Sequence, residues 1–116
     1  MHNFRQLQVW QEAMSIAKSV YLVLNKFPTS EKFGLISQIS RCSISVPSNI
    51  AEGSSRSSNK EFTHFLSIAL GSLFELETQL QLAVELGFLD PVGSEKLMLS
   101  VIQLQKKIST FKKTLI

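Results

Sequence analysis

Glu61 and His64 lie one helical turn apart, the spacing with which a helix can offer a carboxylate and an imidazole to a single metal ion. Di-iron bundles use that Glu-x-x-His pair twice, and this chain contains it once. The other histidine, His2, and the single cysteine, Cys42, stand at no zinc-ligand spacing from it. No metal site is expected, and His64 reads as a surface or interface residue. Ser43, Ser45 and Ser48 are clustered but lack a general base, and Cys42 falls on an apolar stripe where a thiol behaves as a small core residue. The five glycines are scattered and form no phosphate cradle. The sequence therefore predicts no catalytic residue and no cofactor, and the chain reads as a non-enzyme.

Two other constellations remain. From Lys96 to the C-terminus there are five lysines (Lys96, Lys106, Lys107, Lys112, Lys113) and no acid, a bias that suits an anionic partner. On a helical wheel Lys106 and Lys113 lie opposite the Leu104–Ile108–Phe111–Leu115 stripe, and Lys107 and Lys112 flank it. RNA or DNA phosphates are the expected contacts, with Arg41 and Arg56 as additional candidates. The one aromatic residue among these lysines, Phe111, belongs to the apolar stripe and not to the basic face, and no base-reading motif is present, so binding should be weak and sequence-tolerant. The second constellation is polar. Asn49 and Glu52, and likewise Ser72 and Glu75, lie three residues apart, and facing helices would gather them near Arg41 or Arg56 as a layer that fixes helix register or oligomer state.

The elements that position these residues follow from apolar periodicity. Leu7, Trp10, Met14, Ala17, Tyr21 and Leu24 step by three and four; so do Leu35, Ile39, Cys42, Val46, Asn49 and Ile50; so do Phe62, Leu66, Ala69, Leu73, Leu76, Leu80 and Ala83; and so do Leu97, Val101, Leu104, Ile108, Phe111 and Leu115. Four helices are predicted, over about 6–26, 30–53, 59–87 and 91–114. The second keeps its phase through Pro47, which removes one amide bond and crowds the Ser43 carbonyl, so a kinked helix is expected there. Thr29, Ser58 and Asp90-Pro91 read as helix starts, Gly53 and Gly87 as C-terminal caps. The short connections predict an all-α, antiparallel up-down-up-down four-helix bundle comprising residues 1–116 as one domain.

At 116 residues the chain can bury roughly two thirds of its unfolded surface. Apolar residues make up 44% and charged ones 18%, against roughly 25% in typical soluble domains, so polar cover is short. A second apolar set on the first helix (Val9, Ala13, Ile16, Val20, Phe27) and on the third (Phe65, Ile68, Leu70, Phe74, Leu82, Leu86) predicts homo-oligomerisation. One cysteine fits a reducing compartment, and with no signal-peptide pattern or membrane-length apolar run the protein is expected in the cytoplasm, away from membranes.

Several blocks together carry a resemblance. Leu7-x-Val9-Trp10-Gln11-x-Ala13 is followed by Phe33-Gly34-Leu35, by Ser43-Ile44-x-Val46-Pro47-Ser48-Asn49-Ile50-Ala51-Glu52-Gly53, and by Arg56 and Glu61-Phe62. Phe65-Leu66-x-Ile68-Ala69-x-Gly71-Ser72 and Glu75-Leu76-Glu77-Thr78-Gln79-Leu80 complete the set. Over nearly its whole length the chain resembles the bacterial four-helix-bundle family named after intervening sequences in 23S ribosomal RNA genes. The resemblance implies a ring-like homopentamer. It also implies similarity to the accessory proteins of diversity-generating retroelements, basic barrels that bind nucleic acid and a reverse transcriptase. Cys42 stands where that pattern leads one to expect alanine.

The leading expectation is thus a non-enzymatic, ring-forming scaffold or accessory protein that binds nucleic acid. The alternative is a protein-only adaptor that docks a partner through its helical surface, for instance Glu75, Glu77 and Glu85. A small enzyme with an intersubunit site at Asn49 and Glu52 is a third.

Overall fold

Helices form where the apolar periodicity runs, and the side chains between them set where each begins. A computed structural model of the protein describes residues 2–116, with helices α1 (Gln8–Leu24), α2 (Leu35–Ser54), α3 (Asn59–Glu85) and α4 (Glu95–Thr114) and short 3-10 turns at Phe4–Gln6 and Thr29–Glu31. No described residue lies in a strand. The hydroxyl of Ser58 accepts the Glu61 amide at 3.1 Å and so caps the start of α3. At the other end of α3, Gly87 takes a φ of +81°, its amide reaches the Val84 carbonyl, and the Phe88 amide reaches back to Ala83. This paired return satisfies the last carbonyls of the helix, and a positive φ at that position favours glycine.

Two predicted starts differ from the structure. Thr29 opens a 3-10 turn rather than a helix, and α2 begins later, where the Glu31 carboxylate accepts the Leu35 amide at 3.4 Å. Asp90-Pro91 likewise opens a turn: Asp90 Oδ2 accepts the Gly93 amide at 2.8 Å, and α4 starts only at Glu95. At Asp90 the cap-like side chain satisfies a local turn before the helix can form, whereas at Thr29 backbone bonds from the Glu31 amide to Pro28 and from the Lys32 amide to Thr29 close the turn. α2 then continues through Pro47 without interruption.

Neighbouring helices touch in the cycle α1–α2–α3–α4–α1, and the diagonal pairs do not meet. The contacts locate the ends. The His2 amide bonds the Ser54 carbonyl at 3.1 Å, and the rings of His2, Phe62 and Phe111 cluster with centroids 5.0 to 6.3 Å apart. His2, Ser54, Phe62 and Phe111, from the first residues of the chain, α2, α3 and α4, therefore meet at one place. At the other end, Phe27 and Phe88 from the two remaining connections pack at 5.9 Å. The long dimension of 43 Å is close to the ~40 Å of a helix the length of α3.

The core is one apolar cluster running the length of the bundle. On α3 the buried side chains are the predicted stripe from Phe62 to Ala83, and α4 buries Leu97, Val101, Leu104 and Ile108 as expected. On α1 the predicted stripe is buried only in part. Leu24 is buried and Leu7 and Trp10 pack against the core, while Met14 and Tyr21 stay 46% and 49% exposed; the second set, Val9, Ala13, Ile16 and Val20 with Phe27 just beyond the helix, is buried instead. Both faces of α1 keep a three-four rhythm, so periodicity alone does not choose between them. The small and β-branched set lets α1 sit close to its neighbours and leaves the bulkier residues outside.

Gly53 also departs from its predicted role. It lies inside α2, whose C-cap is Ser55, and its φ is not positive. A Cβ placed there would stand 2.6 Å from the Phe65 Cβ and 2.9 Å from Phe62 Cδ1. The glycine is required by the close approach of α2 to α3. Gly71, by contrast, has nothing within 4 Å.

These two helical glycines predict opposite outcomes in urea denaturation. Gly53→Ala should destabilise the chain by about 1–3 kcal/mol through overpacking. Gly71→Ala should stabilise the isolated chain by about 0.5–1 kcal/mol through helix propensity. A loss on Gly71→Ala would show that another chain packs over that position.

Candidate nucleic-acid interface

The convergence of four helix ends concentrates charge. With each helix divided at its midpoint, the end that holds His2, Phe62 and Phe111 carries seven basic side chains: Arg5, Arg56, Lys60, Lys106, Lys107, Lys112 and Lys113. Three acids accompany them, Glu12, Glu52 and Glu61, for a net side-chain charge of +4. The opposite end holds five basic residues against six acidic ones, for −1, and the two account for the chain's +3. Arg5 and Lys60 belong to the basic end although they are far from the lysine run in sequence. Arg41, one of the sequence candidates, lies exposed on the other half of α2.

The predicted basic residues are not equivalent. Lys106 and Lys113 are exposed, and Lys112 is half-buried. Lys107 Nζ donates to Glu12 Oε1 at 2.8 Å, which ties α4 to α1 and neutralises that lysine. Arg56 donates to Glu52 at 3.1 Å across one turn, and its guanidinium carbon lies 4.7 Å from the centroid of the Phe65 ring. Phe111, between Lys107 and Lys112 in the sequence, turns its ring to His2 and Phe62, and the aromatic partners of cations at this end are Phe65 of α3 for Arg56 and Phe4 for Arg5.

The polar constellation divides. Ser45 and Ser72 share a hydrogen bond of 2.9 Å between α2 and α3, and Asn49 Nδ2 donates to the Ser45 carbonyl at 2.8 Å and to its hydroxyl at 3.0 Å. Cys42 completes the group, its thiol donating to the Ser72 carbonyl at 3.0 Å. Glu52 and Glu75 are exposed and stand outside it, so Asn49 and Glu52 do not converge on a common point. Burial, and after it the nearby Glu75 carboxylate, pushes the Cys42 thiol from 9.0 up to about 11. A polar contact that sequence reading missed joins α3 to α4: buried Gln105 donates to Glu77 Oε1 at 2.7 Å. Its signal was the glutamine beside the Leu104 core position.

Among the described residues, no three of His, Cys, Asp and Glu gather closely enough to hold a metal ion. No described helix is long and apolar enough to cross a membrane. The family model for the 23S rRNA-intervening sequence protein matches residues 5–110. The chain belongs to that family. The match takes in all of α1, α2 and α3 and most of α4, so of the interface residues above only His2, Phe4, Phe111, Lys112 and Lys113 fall outside the matched part of this 23S rRNA-intervening sequence protein. Comparison with curated proteins returns no match.

Two outcomes follow. Ser72→Ala or Asn49→Ala should cost about 1 kcal/mol in denaturant unfolding, while Glu52→Ala and Glu75→Ala should stay within about 0.5 kcal/mol in the isolated chain. At pH 8 the raised pKa should leave Cys42 with roughly a hundredfold less thiolate than an ordinary thiol, so it should label with iodoacetamide at least that much more slowly folded than in urea. Because the folded pKa is raised, this contribution to stability is fully present below pH 9 and lost as pH rises through about 11.

Proposed function

We propose that this chain is a non-enzymatic, ring-forming scaffold or accessory protein with weak, sequence-tolerant binding to RNA or DNA. The observation that carries the reading is the net +4 gathered at one end of a 43 Å molecule. Cyclic symmetry would repeat that end once per subunit, and each further phosphate neutralised adds affinity and steepens the salt dependence. Lys106, Lys112, Lys113 and Arg56 are the proposed phosphate contacts. Lys107, already paired with Glu12, contributes less; Arg56 is also paired, with Glu52, but its guanidinium carries donors beyond the one that carboxylate takes; and Arg41 lies away from the basic end.

The assembly proposed is a homopentamer of antiparallel up-down-up-down bundles, with α2 bent at Pro47. Contacts support the direction of the helices: Cys42 meets Ser72, and Gly53 meets Phe62 and Phe65, so rising numbers on α2 face falling numbers on α3. Exposed apolar side chains support association. Met14, Tyr21 and Leu22 remain open on α1, the first two on one face, and Ile68, Phe74 and Leu82 remain open on α3 with Leu86 at its C-cap. Asn49, Ser45 and Ser72 act as the structural polar layer that sets the register of α2 on α3. The cytoplasm is the proposed location.

A protein-only adaptor is the second reading, favoured by the opposite end. There Phe33 is 91% and Val92 79% exposed, an apolar offering to a partner protein such as a reverse transcriptase.

Sedimentation velocity should give a species near five times the 13.0 kDa chain mass. Fluorescence anisotropy with labelled RNA and DNA should show affinity falling steeply with salt. The slope of log K against log salt should drop by ~0.7–0.9 for each lost phosphate contact in Lys106→Gln, Lys112→Gln and Lys113→Gln. Absence of binding at low salt would turn the proposal to the adaptor reading.

A further inference from the structure

Beside the turn between α2 and α3 lies an open surface cleft of about 800 Å³, within the range of nucleotide-sized sites. Arg56, Ser58, Lys60, Thr63, His64, Phe65 and Ser67 line it together with one carboxylate, Glu61. Phe65 is its one benzene ring, and three contacts hold that side chain. The Phe65 Cβ is seated at the close approach to Gly53, which roots the side chain against α2. The Arg56 guanidinium lies over the ring at 4.7 Å and is held by Glu52 at 3.1 Å. The His64 ring meets it edge-on at 5.7 Å and 75°. The result is an aromatic surface beside a guanidinium, with Lys60 on the rim and three hydroxyls around it.

This arrangement differs from a plain basic face. Lysines alone neutralise phosphates and do not distinguish paired from unpaired strands. Arg56 covers one face of the Phe65 ring, so the stacking surface offered to a base is the guanidinium plane backed by the ring together with the ring's exposed rim, and only an unpaired base has a face free to use it. We propose that this cleft binds single-stranded nucleic acid, with one unpaired base against Phe65 and Arg56 and the adjoining phosphates on Lys60 and the Arg56 guanidinium. The proposal rests on the nucleic-acid reading above and names the class of strand: an unpaired segment rather than a duplex. The remaining cations of the basic end, Lys106, Lys112 and Lys113, would carry the neighbouring phosphates. His64 borders the ring as a polar neighbour.

The test uses the full-length protein in whatever assembly it forms, with three fluorescein-labelled 12-nucleotide probes at one low salt concentration. They are a pyrimidine single strand, a duplex of the same length, and a strand of abasic sites with the same phosphate charge. Binding of the single strand should be about ten- to a hundredfold tighter than binding of the abasic strand, the range expected for stacking of one base. Phe65→Leu, which keeps an apolar side chain on Gly53, should remove that preference and leave abasic-strand affinity unchanged. Phe65→Ala should act the same way where circular dichroism and sedimentation show the fold and assembly intact. Arg56→Gln should weaken all three probes and the single strand most. Equal affinity for the single and abasic strands would overturn the stacking site while leaving phosphate binding in place. A duplex preference, or a Phe65→Leu variant that still favours bases, would overturn it as well. Failure of all three probes to bind would overturn both this inference and the nucleic-acid reading on which it rests.

Discussion

The near-contact of α2 and α3 at Gly53 is the constraint on which the rest of the molecule depends. A residue without a side chain lets the Phe65 Cβ and the Phe62 ring approach the α2 backbone more closely than any Cβ would permit. Phe62 can then turn inward to meet His2 and Phe111, which draws the beginning of the chain and the end of α4 to the same place. Phe65, one turn further along, is left at the rim with Arg56 beside it. Core packing and surface chemistry at this end of the bundle thus share one origin. Burial of the apolar stripes supplies the general driving force, and Gly53 determines how deeply the central pair of helices can engage.

Much of the fold is legible in the sequence because bulky apolar residues on α3 and α4 fall into one dominant stripe on each helix. The stripe from Phe62 to Ala83 contains leucines and a phenylalanine at core spacing, and burial follows it position by position. α1 is ambiguous for a physical reason. Its two apolar faces have the same period, and the choice between them depends on how closely the neighbours approach, a property of the assembled bundle. Gly53 resisted reading for the same reason. A glycine near the end of a helical pattern suggests a left-handed cap, which Gly87 is, whereas the need for close approach comes from residues nine and twelve positions ahead on another helix. The helix start at Asp90 was obscured by local competition, since residues that cap helices also stabilise turns, and the one at Thr29 by a turn closed through the backbone.

The candidate interface was legible only in part. The lysine run near the C-terminus shows in the sequence as a block of one charge, but Arg5 and Lys60 join it through convergence of helix ends, and linear distance hides that. Glu12 neutralises Lys107 across the α1–α4 seam from the opposite end of the chain. Phe65 belongs to a set of apolar positions on α3, and its pairing with Arg56 depends on the short turn between α2 and α3. The polar residues show the reverse case. Ser72 and Asn49 do meet in a common hydrogen-bonded group through Ser45, while the two acids grouped with them remain at the surface, where water hydrates a carboxylate without any partner.

The seam between α1 and α4 differs in kind from the one at Gly53. A groove of about 560 Å³ runs along it, lined by serines as well as apolar residues, and the ion pair of Lys107 with Glu12 bridges the two helices. Of the four neighbouring helix pairs, α2 and α3 share the most extensive contact and α1 and α4 the least. Stability is therefore graded around the bundle. The α2–α3 hairpin, joined by residues near one another in the chain, needs only a short loop to close and can form early. The seam that joins the two outermost helices closes the longest loop and gains the least from it. Loop length and contact together favour, in time rather than in space, a hairpin that acquires two flanking helices, with the α1–α4 seam the side that costs least to open.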